Sequence, residues 1–107
     1  MADYQCIDCE QAKSLLIEGA VLLDIRDQNS FMQAHPNQAI NLNNDNLQQL
    51  LSPLEKQQTI LVLCYHGISS KNAAQFISSQ GFSNVASVNG GFEAWQAHFP
   101  EELSGGI

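Results

Sequence analysis

The sequence predicts an α/β fold in which a largely parallel β-sheet carries helices on both faces. Short apolar runs alternate along the chain with segments whose apolar residues recur at helical spacing. Strands that are separated by helices pair in parallel, and the crossover helices cover both faces of the sheet. In such sheets, ligands bind beyond the carboxyl ends of the strands, close to helix N-termini.

Five short segments are expected to form the strands. Residues 20–25 and 59–64 are continuously apolar, which is typical of strands that are buried on both faces. The second of these runs is the more apolar, so we expect it at the centre of the sheet. The other three strands are expected at residues 4–7, 39–42 and 84–88.

Three helices are expected in the first half of the chain. Asp8 offers an N-cap for a helix that runs to about residue 18. Residues 30–35 form a short helix that ends before a proline. Asn44 or Asp45 can cap a third helix, whose apolar stripe consists of Leu47, Leu50, Leu51 and Leu54.

Two further helices are expected in the second half. One spans residues 69–80 and ends at Gly81, because glycine commonly terminates helices. The other spans residues 92–98, between Gly90-Gly91 and Pro100. The residues of the first of these two helices that are expected to face inward are Ala73, Ala74, Phe76 and Ile77.

Length and composition indicate one globular domain. The chain has 107 residues, of which 44% are apolar, and we expect a single domain over residues 1–107 with a mobile tail from about residue 103. No apolar run is long enough to cross a bilayer, and the first residues do not resemble a secretion signal. We therefore expect a cytoplasmic protein with reduced cysteines.

The charge balance argues against a nucleic-acid partner. The formal net charge is −7, and the four basic residues, Lys13, Arg26, Lys56 and Lys71, are scattered along the sequence. Binding to a phosphate backbone requires a cluster of cations. Salt screens the general repulsion of anions beyond about 8 Å, so a small anion can still bind at a local site.

Cys64 ends the predicted central strand and is the candidate nucleophile. A sharp turn from a strand into a helix directs backbone N–H groups inward, and the helix adds the positive end of its dipole. Gly67 permits the turn, and Lys71 adds a cation nearby. A thiol in this setting ionises more readily. The alternative is an inert, buried cysteine with Ser69 as an ordinary N-cap, and the local residues alone leave both interpretations open.

Three motifs resemble those of the rhodanese family. CYHGISS is similar to the active-site loop of rhodanese domains, VLLDIRDQNSFMQAHPNQAINL to their N-terminal signature, and VNGGFEAWQ to their C-terminal signature. In order and suitably spaced, they cover about residues 21–96. The chain as a whole resembles the small single-domain thiosulfate sulfurtransferases. The resemblance implies a rhodanese-like fold with a five-stranded, mainly parallel sheet flanked by helices.

The same resemblance implies a reaction. Cys64 attacks the outer sulfur of thiosulfate, sulfite leaves, and the enzyme carries a persulfide until a second nucleophile removes the sulfur. That acceptor is cyanide in an assay and a dithiol such as thioredoxin in cells; no metal or cofactor is implied. The loop that would bind the substrate consists of Tyr65, His66, Gly67, Ile68, Ser69, Ser70 and Lys71.

The chain departs from the N-terminal signature at one turn. The family pattern has Gly-His, an apolar residue, Pro and Gly, whereas this chain has Ala34-His35-Pro36-Asn37-Gln38. The turn is distant in sequence from Cys64, so the expected activity is unaffected. Ile68 lies at a loop position where an apolar side chain suits a protein thiol better than a small hydrated ion.

Three alternatives to thiosulfate sulfurtransfer follow from the same motifs. Phosphatases of this fold need an arginine six positions after the cysteine to bind phosphate, and that position holds Ser70. A non-catalytic interaction module usually lacks the cysteine, which is present here. A sulfur carrier that receives persulfide from a protein donor is not distinguishable from the leading hypothesis by sequence.

The other polar residues of interest have structural interpretations. Cys6 and Cys9 form a Cys-x-x-Cys pair without the two further ligands that a zinc site needs, and we expect ordinary thiols. Asp24 and Arg26 face the same side of an extended strand and are expected to form a structural ion pair. His66 could contact the anion or be solvated.

Overall fold

A computed structural model describes residues 3–105 and shows an all-parallel sheet of five strands. The strands of the chain are β1 (Gln5–Ile7), β2 (Val21–Asp24), β3 (His35–Pro36), β4 (Ile40–Asn41), β5 (Ile60–Leu63), β6 (Val85–Val88) and β7 (Leu103–Ser104). The main sheet has the order β1-β6-β5-β2-β4, and β3 pairs with β7 in a separate antiparallel ladder. The predictions of a five-stranded parallel sheet and of a central fourth strand, now β5, are confirmed.

Residues 3–105 contain five helices, four of which cover the two faces of this sheet. The five helices are α1 (Cys9–Ile17), α2 (Gln28–Gln33), α3 (Leu47–Leu51), α4 (Ser69–Ser79) and α5 (Gly91–His98). One apolar cluster joins α1 and α5 to the sheet, and a second joins α3 and α4 to the opposite face. None of the helices in residues 3–105 combines the length and the apolar character needed to cross a bilayer.

The strand β5 contributes to both clusters because successive side chains of a strand point to opposite faces. Leu61 and Leu63 pack into the α1–α5 cluster, whereas Ile60 and Val62 pack into the α3–α4 cluster. All four side chains are fully buried. This double burial explains the continuous apolar run in the sequence and fixes the register of the chain segment that leads to Cys64.

Two helix starts were predicted with different success. Asp8 caps α1 as predicted, and a reciprocal hydrogen bond from its backbone N–H to Gln11 completes a capping box. The prediction that Asn44 or Asp45 caps α3 is wrong, because the N-cap is Asn46 and no side chain caps this helix. The Asn46 side chain instead accepts from the N–H of Asn43 and stabilises the preceding turn.

Phe76 does not face inward as predicted. Its side chain is 45% exposed, whereas Ala74 and Ile77 of the same helix are buried. The helix α4 buries a narrow stripe that also includes the small polar residues Ser70 and Ser78. Periodicity alone assigned Phe76 to the core because it assumes that every apolar residue near the stripe is buried.

The small ladder of β3 and β7 was not predicted. Each of its strands has only two residues, which is too short for an alternating pattern to be visible. The first residues of the expected tail take part in this ladder, because Leu103 pairs with Pro36 and Ser104 pairs with His35. Residues 106 and 107 of that expected tail lie outside the described residues.

The unusual turn after β3 places Gln38 in a left-handed backbone conformation. Its φ of +74° is unique among the non-glycine residues in the described chain. Gln38 occupies the position where the family signature has glycine. Left-handed backbone costs a residue with a Cβ about 1–2 kcal/mol, so this turn is strained locally.

We expect Gln38→Gly to raise the free energy of unfolding by about 0.5–1 kcal/mol, because relief of strain exceeds the entropy that glycine adds to the unfolded chain. Urea denaturation measures the change. Gln57→Gly is the matched control, since Gln57 is exposed in a turn without a positive φ. A loss of stability in both variants would show that the Gln38 turn is not strained.

Candidate active site

The candidate site lies at the carboxyl end of the central strand. Cys64 directly follows β5, and the loop of residues 65–68 leads from it into the N-terminus of α4. The neighbouring strands β2 and β6 pair with β5 on its two sides. This is the edge of a parallel sheet where ligands bind, and the sequence predicted the position of Cys64 there.

The loop directs backbone amides at the sulfur atom. The N–H of Gly67 donates to Sγ of Cys64 at 3.1 Å, and the N–H of Ser70 donates to it at 3.3 Å. The side chain is only 5% exposed. The sulfur is therefore buried in polar surroundings. Backbone N–H groups that point at it stabilise a negative charge on the sulfur.

Two buried serines extend these contacts. Oγ of Ser70 lies 3.3 Å from Sγ of Cys64, and Oγ of Ser87 lies 2.7 Å from Oγ of Ser70. Both serines are fully buried. The three side chains therefore form one hydrogen-bonded chain that runs from β6 through α4 to the sulfur.

These contacts determine how readily Cys64 ionises. Burial by itself raises the pKa of the thiol, but hydrogen bonds from the Ser70 side chain and from the backbone of Ser70, Gly67 and His66 outweigh burial and lower the pKa. The N-terminus of α4 adds its positive dipole end at the same point. The site thus stabilises the thiolate, which is the nucleophilic form of cysteine.

Further donors remain available beside the sulfur. Within residues 3–105, the backbone N–H groups of Ile68 and Ser69 have no hydrogen-bond acceptor. The first N–H groups of a helix have no partner inside the helix, and here the loop supplies none. Such amides can bind an anion that approaches the loop.

The N-terminus of α5 holds the loop from behind. The N–H of Phe92 donates to the carbonyl of Cys64 at 2.7 Å, and the N–H of Glu93 donates to that of Tyr65 at 3.1 Å. A Cβ on Gly91 would come within 2.4 Å of the Cys64 carbonyl oxygen. Only glycine permits this close approach of the helix to the loop, which explains the second glycine of the third motif.

A buried ion pair braces the same region, as the sequence predicted. Arg26 binds the fully buried carboxylate of Asp24 through Nε and Nη2, and Nη2 also donates to the carbonyl of Ala34 at 2.7 Å. Its guanidinium lies 3.9 Å from the ring centroid of Phe92 and 5.4 Å from that of Tyr65. The Arg26 guanidinium is thus held by a buried carboxylate, a backbone carbonyl and two aromatic rings.

The remaining loop residues lie on the outer rim. Tyr65 is 47% exposed and Ile68 is 72% exposed. His66 is also exposed, and its Nδ1 lies 3.5 Å from a carboxylate oxygen of Glu93. Ser69 and Lys71 are exposed as well, and in residues 3–105 the Lys71 side chain makes no hydrogen bond with Cys64.

Two parts of the site were not identified from sequence. Ser87 sits in an apolar strand, where a lone serine carries no signal until the packing of α4 against β6 is known. Gly91 was assigned only to a helix start, although its spacing from Cys64 in the family motifs could have indicated a contact. Both residues reach the site through tertiary contacts.

Comparison with known proteins identifies the family of this chain. The model of the rhodanese-like domain family matches residues 8–98. The Alr3790 protein from Anabaena sp. has 28% identity and a TM-score of 0.80, over 94% of this chain and 81% of that chain. A rhodanese-related protein from Thermoplasma volcanium has 26% identity and a TM-score of 0.73, over 89% and 93%.

The reduced CoADR-RHD from Bacillus anthracis is also similar. It has 24% identity and a TM-score of 0.79 over 94% of this chain, which spans only 18% of that protein. At this identity the likeness concerns the fold alone. From the family match, the chain belongs to the rhodanese-like domain family, which fits a sulfurtransferase-type or rhodanese-like module.

The other two cysteines differ from Cys64 in their surroundings. Cys6 is exposed on β1, and Cys9 is buried at the start of α1. Burial raises the pKa of the Cys9 thiol, and the negative charge of Asp8 adds to the increase. Cys9 and Cys64 are therefore similarly buried thiols with opposite shifts in pKa.

We expect iodoacetamide to modify Cys64 at least tenfold faster than Cys9 near neutral pH, because the reactive thiolate fraction increases as the pKa decreases. Peptide mass spectrometry over a pH series would measure each rate separately. The rate at Cys64 should level off at a lower pH than the rate of an ordinary thiol does. The rate at the exposed Cys6 shows that the reagent is active in each sample. Equal rates at Cys64 and Cys9 would contradict the stabilised thiolate.

Proposed function

We propose that this protein is a thiosulfate sulfurtransferase that carries sulfur as a persulfide on Cys64. The observation that carries the proposal is the hydrogen bonding of Sγ by the N–H groups of Gly67 and Ser70. A buried sulfur that receives donors from its own loop is suited to holding negative charge through both halves of a transfer reaction.

In the first half-reaction, the Cys64 thiolate attacks the outer sulfur of thiosulfate. A new S–S bond forms, the S–S bond of thiosulfate breaks, and its electron pair leaves with sulfite. In the second half-reaction, an acceptor nucleophile attacks the outer persulfide sulfur, and Cys64 leaves as a thiolate. Each step conserves charge, so the cycle needs no metal, redox cofactor or net proton transfer.

The loop amides support both halves of this cycle. The N–H groups of Ile68 and Ser69 are free to bind the anionic donor, and the bonds to Sγ stabilise the leaving thiolate in the second half. Neutral amides are sufficient in a protein with a net charge of −7 because they act over short distances that salt screens weakly. We assign the substrate-binding role to residues 65–71, with Lys71 as a flexible cation at the edge.

The rim of the site favours a protein acceptor over a small ion. The exposed side chains of Tyr65 and Ile68 surround a sulfur that is itself buried. Contact with an apolar partner surface would remove these side chains from water and bring an acceptor thiol to the sulfur. We propose a dithiol protein such as thioredoxin, in a reducing cytoplasmic setting that keeps Cys64 ready for reaction.

A phosphatase function lacks this support. The sixth residue after the cysteine is Ser70, whose N–H and hydroxyl are both within 3.3 Å of Sγ. No arginine from this position can bind a phosphate bidentately. The only arginine of the chain, Arg26, is already paired with Asp24.

We expect the protein to gain the mass of one sulfur atom when it is mixed with thiosulfate and the excess is removed. Intact mass spectrometry measures the gain, which cyanide should reverse with release of thiocyanate. Cys64→Ser should gain nothing, whereas Cys6→Ser should behave as the unmodified protein does because Cys6 lies on exposed β1.

The other outcomes distinguish the alternatives. No gain from thiosulfate but a gain from a persulfidated donor protein would identify a sulfur carrier. No gain from either donor would indicate an interaction module. Hydrolysis of an aryl phosphate that is lost in Cys64→Ser would identify a phosphatase.

We expect Ile68→Ser to slow transfer to reduced thioredoxin about three- to tenfold more than transfer to cyanide, because only a protein contacts the rim. Single-turnover rates from the isolated persulfide would measure both reactions. Ile17→Ser is the matched control, since Ile17 is 76% exposed and ends α1 at the opposite edge of the sheet. If the transfer rates to both acceptors fell equally, the rim would have no part in recognising a protein acceptor.

A further inference from the structure

Ser87 is a fully buried polar residue that the proposed reaction does not use directly. It lies in the middle of β6, opposite Val62 of the central strand. Its neighbours Ala86 and Val88 pack into the α1–α5 cluster. The alternation of the strand therefore turns Ser87 towards the opposite face, where α4 lies. A buried hydroxyl is costly unless it is hydrogen-bonded.

The partner of this hydroxyl connects it to the candidate nucleophile. Oγ of Ser87 is 2.7 Å from Oγ of Ser70, which in turn is 3.3 Å from Sγ of Cys64. Within residues 3–105, Ser87 Oγ has no other hydrogen-bond partner. The orientation of the two hydroxyl hydrogens therefore depends on the hydrogen bonds that link Ser87, Ser70 and Cys64.

Only one arrangement satisfies every hydrogen when the sulfur is ionised. Ser87 donates to Ser70, and Ser70 donates to the thiolate, so both hydroxyl hydrogens have acceptors. If Ser70 instead donated to Ser87, the hydrogen of Ser87 would have no acceptor in the described part of the chain, and the thiolate would lose a donor. A buried donor without an acceptor is unfavourable.

We propose that Ser87 is a positioning residue, which orients the Ser70 hydroxyl towards Cys64 and so stabilises the thiolate without contacting the sulfur itself. The inference rests on the proposed function only in that the thiolate is the nucleophile. It concerns this chain's own hydrogen-bond network, and it can be tested in the absence of any sulfur donor.

The test compares Ser87→Thr with Ser87→Val, which have nearly the same shape and differ in the hydroxyl. The pH dependence of iodoacetamide modification at Cys64, resolved by peptide mass spectrometry, reports the ionisation of the thiol. We expect the Val variant to react about three- to tenfold more slowly near neutral pH and to level off at a higher pH. The Thr variant should retain the original profile.

A second comparison tests whether Ser87 acts through Ser70. Ser70→Ala should shift the profile at least as far as Ser87→Ala, and the double variant should shift it no further than Ser70→Ala alone. Ser78→Ala is the control for loss of a buried serine, since Ser78 lies on the same helix and bonds to the Asp3 carbonyl instead. It should leave the profile unchanged.

Three outcomes would overturn the inference. They are an unchanged profile in Ser87→Val, equal shifts in the Thr and Val variants, and additive shifts in the Ser70–Ser87 double variant. Thermal unfolding of each variant separates a folding defect from a change in the thiol, and the Thr–Val pair remains informative if the alanine variant is unstable. If the alkylation profiles shift as expected but the protein takes no sulfur from thiosulfate, the proposed reaction is rejected and the role of Ser87 stands.

Discussion

The hydrogen bonds that surround Sγ of Cys64 are the constraint on which the site depends. The N-terminus of α4 supplies donors to the sulfur, and the N-terminus of α5 supplies donors to the carbonyls of Cys64 and Tyr65. Two helices on opposite faces of the sheet thus hold one loop. The loop cannot move away from the sulfur without breaking bonds to α5, so the donors are positioned before any substrate arrives.

Neutral donors suit this protein better than fixed cations would. The net charge is −7, and the one arginine is paired with Asp24 and stacked on Phe92. Backbone amides and serine hydroxyls stabilise a negative sulfur without a counter-ion, and they lower the pKa of Cys64 although burial alone would raise it. At Cys9, burial and the negative charge of Asp8 outweigh a single backbone hydrogen bond, and the pKa of that thiol is raised.

Local patterns predicted most of the fold because each strand and helix carries its own signal. The continuous apolar runs identified β2 and β5, and Asp8 identified the start of α1. The pattern did not extend to the two-residue strands β3 and β7, whose pairing joins distant parts of the chain. Phe76 was assigned to the core by its spacing, but it lies beside the narrow stripe that α4 buries and is exposed.

The sequence by itself determined the order of the five helices and of the five strands of the main sheet, the place of Cys64 after the central strand, and the need for Gly67 in the turn. These features follow from periodicity, from chain order and from the backbone freedom of glycine, all of which are local properties. Only the tertiary structure decided which groups meet the sulfur. Ser87 joins Ser70, and Gly91 meets the Cys64 carbonyl, because packing brings β6 and α5 against the loop. Contacts between residues far apart in the chain depend on that packing, and no local pattern encodes them.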